Sequence, residues 1–258
     1  MAESLTQIIT KGIQKKLSGY PLPTSNVPFQ TDLLARSLVP IHAFMHAIYS
    51  HFGISIFEDL AVALAEGNPW MSVVKRSYKV GTEIGEKTYG CIEDIMDGLG
   101  VGIGKSDKFH EVDQIRKSIG EVQSTKSIRL KRANIYMEET TGHHIALIDI
   151  QVPKNHPDRR TARELKRRLL RWVGVEMQKV TDVEVHSIIG IPYNTFFPDR
   201  YVIGMNMSDM LDLEGELKVA GDFWDLMAGR PVHKDLLNAF RLAVPELSVD
   251  LENYFSKF

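Results

Sequence analysis

Apolar positions follow a helical period through the first part of the chain. Residues 2–18 carry Leu5, Ile8, Ile9 and Ile13 on one side and stop at Ser18-Gly19, which predicts a short amphipathic helix. Pro21, Pro23 and Pro28 mark an irregular connection, after which 32–52 resumes helical spacing, interrupted by Pro40. Gly53-Ile54-Ser55 opens the next helix, with Ser55 as N-cap, Glu58 at N3 in a capping-box pattern, and Leu60, Ala61, Leu64 and Ala65 on the buried side. Asn68-Pro69 ends it. A long helical region is then expected from Trp70 to Met96, with Val73, Val74, Tyr78, Ile84, Ile92 and Ile95 in the core, and another helix over 109–124.

From there the period changes to two. Ile128 to Met137 reads as a strand, 139–142 as a turn, and 143–152 as a second strand. In that strand Ile145, Leu147, Asp149 and Gln151 share one face, while Ala146, Ile148, Ile150 and Val152 share the other. A hairpin turning at 140–143 places Asn134 opposite or nearly opposite Asp149, with Glu138 on the same side. A helix follows over 159–175, then a strand from Val183 to Ile191 and one more from Tyr201 to Met205. Residues 224–258 are helical, broken at Gly229-Arg230-Pro231 and near Pro245. The order is α/β with a small mixed central sheet flanked by helices. One domain over 1–258 is expected, made of a mainly helical part (1–98), a sheet core (109–206) and C-terminal helices (207–258).

Charge changes this picture at one place. Asp149 and Gln151 stand side by side at the end of an otherwise apolar strand, where a carboxylate costs a few kcal/mol unless it is paired or used. The next helix carries Arg159, Arg160, Arg163, Lys166, Arg167, Arg168 and Arg171 against the single acid Glu164. A positive stripe beside an acidic strand end suits a protein that draws in a polyanion and sets a metal-binding carboxylate against it. The plainer alternative is a solvated basic helix packed by Leu165, Leu169 and Trp172, with Asp149 in a structural salt bridge.

The net charge of −2 excludes a generally basic coat protein, so nucleic-acid affinity has to come from this local patch. The single cysteine, Cys91, excludes an intrachain disulfide framework and fits a reducing cytosol, and no leader or membrane span is visible. His42 and His46 lie four apart without an obvious third ligand and read as a packed helix surface. The glycine-rich run from Gly98 to Ser106 lacks the glycine spacing of a phosphate loop, because Leu99 occupies the required position, and reads as a link. His143, His144, His156 and Asp158 read as exposed polar residues and a turn acid.

A strand hairpin bearing an acid, followed by D-x-(K or Q) and a helix, resembles the PD-(D/E)xK nuclease core. The strings at 37–65, 149–173 and 189–194, with Asp222-Phe223-Trp224-Asp225 running on to the C-terminal Tyr254-Phe-Ser-Lys-Phe258, resemble the TdeIII family of type II restriction endonucleases. That resemblance implies Asp149 as the central Mg2+ ligand, aided by the main-chain carbonyl of Ile150, Gln151 in the usual lysine place, and Glu58 as a helix-borne acid completing the site. It also implies a cytoplasmic homodimer acting on double-stranded DNA at an interrupted palindrome of the GGNCC kind. The basic residues at 159–171, with Lys154 in the preceding turn, would hold phosphates.

Two departures stand out: Asn134 replaces the first-strand aspartate and Gln151 the lysine. An amide ligates through oxygen but brings no charge, so Asn134 weakens Mg2+ binding relative to aspartate. Three explanations compete: an introduced inactivating change, transfer of the ligand role to Glu138, or a chain that binds DNA without cutting it. A reading from another class, a cytosolic module whose basic helix meets an acidic protein, also stands.

Overall fold

The computed structural model describes residues 2–19, 55–100, 104–120, 124–152, 159–180, 182–199, 201 and 209–256. The expected helix holding His42 and His46, the turn with Lys154, His156 and Asp158, and all but Tyr201 of the expected strand at 201–205 lie outside the described residues. The chain divides into two compact units, 64–230 and 1–63 with 231–258, where the pattern alone reads as one domain.

In the unit formed by the two ends, α1 (Ala2–Gly19) buries Leu5, Ile9 and Ile13 along α7 (His233–Phe255). Gln14 donates to Asp250 at 2.8 Å and Thr6 to the carbonyl of Ala239 at 3.3 Å. The expected break near Pro245 does not occur: α7 runs through it. Leu236, Ala239, Ala243, Leu247 and Tyr254 form one buried face across the proline, and that packing offsets the hydrogen bond a proline forfeits. Helix α2 (Phe57–Glu66) begins in this unit, with Glu58 in its first turn.

The unit at 64–230 is built on the sheet. The expected helix over Trp70–Met96 is in fact β1 (Met71–Tyr78), β2 (Glu83–Gly85) and α3 (Glu86–Gly100). Val73, Val74 and Tyr78 fit either period over so short a run, and the open edge of β4 (Ala133–Glu139) decides between them. Antiparallel pairing aligns Val74 with Met137 and Tyr78 with Ala133. Helix α4 (Lys108–Ser118), shorter than expected, is capped by Asp107, which accepts from the N–H of His110. β3 (Thr125–Ser127) pairs with β2, and the second long strand starts at Ala133 rather than Ile128.

β5 (His144–Ile150) follows β4 after the expected turn. Helix α5 (Arg159–Met177) then crosses over to β6 (Glu184–Ile191), which lies parallel to β5; β7 (Leu217–Val219) pairs parallel with β6, and α6 (Gly221–Ala228) follows β7 in the chain. The sheet order is β1-β4-β5-β6-β7, antiparallel on one side of β5 and parallel on the other. Buried on both faces, β5 is the centre of the sheet.

The core fixes α5. Leu169, Leu170, Trp172 and Val173 are fully buried in the cluster that includes Leu147, Val185 and Ile189. Each such side chain contributes roughly 1.5–3 kcal/mol, against at most about 1 kcal/mol for an exposed ion pair, so packing rather than charge sets the helix. On the opposite sheet face Gly190 meets the ring of Phe223, which lies 2.3 Å from where a Cβ would stand. Gly190→Ala should cost about 1–3 kcal/mol by overpacking, read as a lower urea midpoint with an unchanged slope.

Candidate active site

Strand pairing brings four of the expected residues together. Ile135 pairs with Ile148, and one further step of that register sets Asn134 opposite Asp149. The Asn134 Oδ1 accepts from the N–H of Ile150 at 2.8 Å, and Gln151 Nε2 donates to Asp149 Oδ2 at 2.8 Å. Asp149 is wholly buried.

A buried carboxylate requires a cation, and two are supplied. The Arg168 guanidinium of α5 contacts Asp149 Oδ2, and the Lys131 ammonium lies 3.4 Å from Oδ1. Trp172 Nε1 donates to the carbonyl of Lys131 at 3.0 Å, tying the segment before β4 to α5. Between these elements lies a hollow of about 190 Å³ whose lining includes Arg129, Lys131, Arg167, Arg168 and Arg171. Two of its residues touch Asp149. Arg129 and Lys131 went unnoticed in the sequence; their signal was the basic string 129–132 directly before a strand.

Three arginines of the basic stripe on α5 pair with acids of α3. Arg163 meets Asp97 at 2.9 Å, and Arg167 and Arg171 meet Glu93 at 3.3 and 2.9 Å. Arg159 donates to the carbonyl of Gly100 at 2.9 Å, and Arg160 pairs along the exposed face with Glu164 at 3.2 Å.

Lys166 departs from its neighbours. It is fully buried, bonded to Ser106 at 2.7 Å, to both oxygens of Glu216 at 2.8 Å and to Glu111. Lys108 joins the cluster at 3.1 Å from Glu216 and also contacts Ser187 of β6. Burial lowers the Lys108 ammonium and raises the Glu111 carboxyl from their ordinary ranges. Lys166 therefore turns inward from the helix surface that could meet a phosphate.

Two further acids, Glu138 and Glu58, are candidates from the sequence. Glu138 pairs with Ile145, four residues away along β5, roughly 13 Å at strand rise. It accepts from Tyr136 at 2.9 Å, and burial with this bond raises the Tyr136 phenol. At that separation Glu138 cannot share an ion with Asp149. Glu58 belongs to the other unit.

Residues 1–243 match a family described as type II restriction endonuclease, HinfI. The chain belongs to that family. No curated protein matches the chain. The match is to HinfI rather than TdeIII, so membership among type II restriction endonucleases is what carries forward. The mixed α/β architecture is that of a restriction-endonuclease-like fold. Membership implies a nuclease that binds DNA, in a family that normally uses divalent metals. No described helix is long and apolar enough to cross a membrane.

The donor set at Asp149 fits a hard divalent ion. One buried carboxylate and neutral oxygens from Asn134, Gln151 and Ile150 suit an ion that completes its shell with water and phosphate. Arg168 and Lys131 lie against the same carboxylate.

Proposed function

We propose that this chain is a type II restriction endonuclease that hydrolyses phosphodiester bonds in both strands of duplex DNA at a short specific site, with Mg2+, as a cytoplasmic homodimer. The observation that carries the reading is Asp149, a fully buried carboxylate whose two cationic partners also line a basic hollow. A backbone phosphate fits such a hollow by charge. On its arrival Arg168 and Lys131 exchange the carboxylate for phosphate oxygens, and Arg129 adds to the neutralisation. Gln151 keeps its amide oxygen to accept from, and so orient, an attacking water. A divalent ion held by Asp149 and the Ile150 carbonyl, with the Asn134 and Gln151 oxygens beside it, would supply Lewis-acid charge at the phosphate. Two-fold DNA sites favour a two-fold protein.

Incubation of unmethylated duplex DNA with the chain and Mg2+ should yield discrete fragments. Asn134→Asp keeps the acceptor for the Ile150 N–H and adds a second carboxylate, so it should cut at about tenfold lower Mg2+. Absence of fragments from both proteins, with Mg2+ or Mn2+ and with duplex binding intact, would defeat the hydrolytic reading. It would favour a DNA-binding relative, whose support is that Asp149 is already closed by two cations and the Asn134 oxygen is already bonded.

A further inference from the structure

At the opposite end of β5 from Asp149, and on the opposite sheet face, two histidines and a glutamate converge. Parallel pairing sets His144 beside Glu184, and His186, two residues on, shares their face beside the small Ala146. His144 Nδ1 lies 3.4 Å from His186 Nε2 and 3.4 Å from Glu184 Oε2, and the last two atoms are 3.7 Å apart.

Those separations carry a coordination geometry. Donor atoms about 2.1 Å from a tetrahedral ion stand roughly 3.4 Å apart, whereas neighbouring corners of an octahedron at that bond length stand roughly 3.0 Å apart. The two imidazoles and the carboxylate thus occupy three corners of a tetrahedron. We propose that His144, Glu184 and His186 bind a zinc-class divalent cation, with the fourth corner open to solvent.

Two further observations agree. The remaining nitrogen of His144, Nε2, has the Glu139 carboxylate beside it, with Oε2 at 3.8 Å, close enough for an ion pair and on the side where a ligating imidazole is commonly supported. The rings of His144 and His186 are stacked at 19° with centroids 5.7 Å apart, so neither obstructs the other. Two imidazoles and one carboxylate select zinc and its neighbours over Mg2+, which takes oxygen. Because the ligands come from two strands joined only through α5, the ion is a clip between the starts of β5 and β6. The inference is independent of the nuclease reading.

Zn2+ titration of the full chain against a chromophoric chelator should show one ion per chain with Kd below about 10 µM. Co2+ in its place should give the intense visible bands of a four-coordinate centre. His144→Ala and His186→Ala should each weaken binding at least about 100-fold, Glu139→Gln about tenfold, and Asp149→Asn not at all. At 100 times Kd the folding constant should rise about 100-fold, seen as a higher Tm that His186→Ala abolishes. Binding that both histidine variants leave unchanged, no binding at all, or a weak six-coordinate Co2+ spectrum would overturn the proposal.

Discussion

Asp149→Asn lowers DNA cleavage by at least about a thousandfold, equivalent to roughly 4 kcal/mol of lost transition-state stabilisation. The substitution is nearly isosteric and keeps an oxygen to accept from Arg168 and Gln151, so the fold should survive, as circular dichroism would report. What it removes is the negative charge, the one property that the amides of Asn134 and Gln151 cannot replace. Duplex binding should hold or tighten, because Arg168 and Lys131 lose their competing anion and become available to phosphates. Rates and salt-dependent affinities measured side by side would separate the two effects. Fragments produced at the unmodified rate would remove Asp149 from the chemistry and direct attention away from the hairpin.

The second large effect concerns stability. Lys166→Met should destabilise the chain by about 3–5 kcal/mol, because it leaves Glu111 and Glu216 buried against one another with Lys108 as the remaining cation of the cluster. Urea unfolding at neutral pH measures this as a fall in midpoint. Lys166→Met combined with Glu216→Gln should recover part of the loss, since it restores neutrality without restoring the bonds. A surface lysine that meets phosphates would behave in the opposite way: its removal would leave stability unchanged and reduce the salt dependence of DNA binding by about one charge. That second outcome would show that Lys166 is not held where the cluster holds it.

The two results bear on one helix, and their contrast shows how its charges are divided. The same run of basic residues contains Arg168, aimed at the strand end, Lys166, aimed into the core, and Arg163, Arg167 and Arg171, zipped to the acids of α3. The exposed pairs among these are worth little individually, so an arginine of the stripe is released from its partner at low cost. Lys166 is not.

The hairpin was legible in the sequence because everything that specifies it is local. An apolar run from Ile145 to Ile150, interrupted by Asp149 alone, and a polar turn at 140–143 set the register to within a residue, and with it the juxtaposition of Asn134 with Asp149. The helices α1 and α5 were legible for the same reason, each from its own period. The α/β class followed from the order of those elements. Membership among the type II restriction endonucleases was likewise accessible from strings of residues alone, at the level of the class rather than of a particular recognition sequence.

What the sequence could not contain were decisions made by partners distant in the chain. Residues 71–78 satisfy either period, and β4, some sixty residues later, makes them a strand. Pro245 signals a break, and the face from Leu236 to Tyr254 overrides it. The stripe on α5 shows its charge but not its counter-ions, because Glu93 and Asp97 lie on another helix and Glu111 and Glu216 on other elements again. Arg129 and Lys131 reach the site only because Trp172 anchors their segment, and His144 meets His186 only because β5 and β6 are parallel. By itself the sequence determined the elements whose periodicity is unambiguous, the pairing of the hairpin and the place of Asp149 upon it. The tertiary structure alone decided which charges are buried and which are paired, because desolvation and ion pairing depend on distances through space that no spacing along the chain encodes.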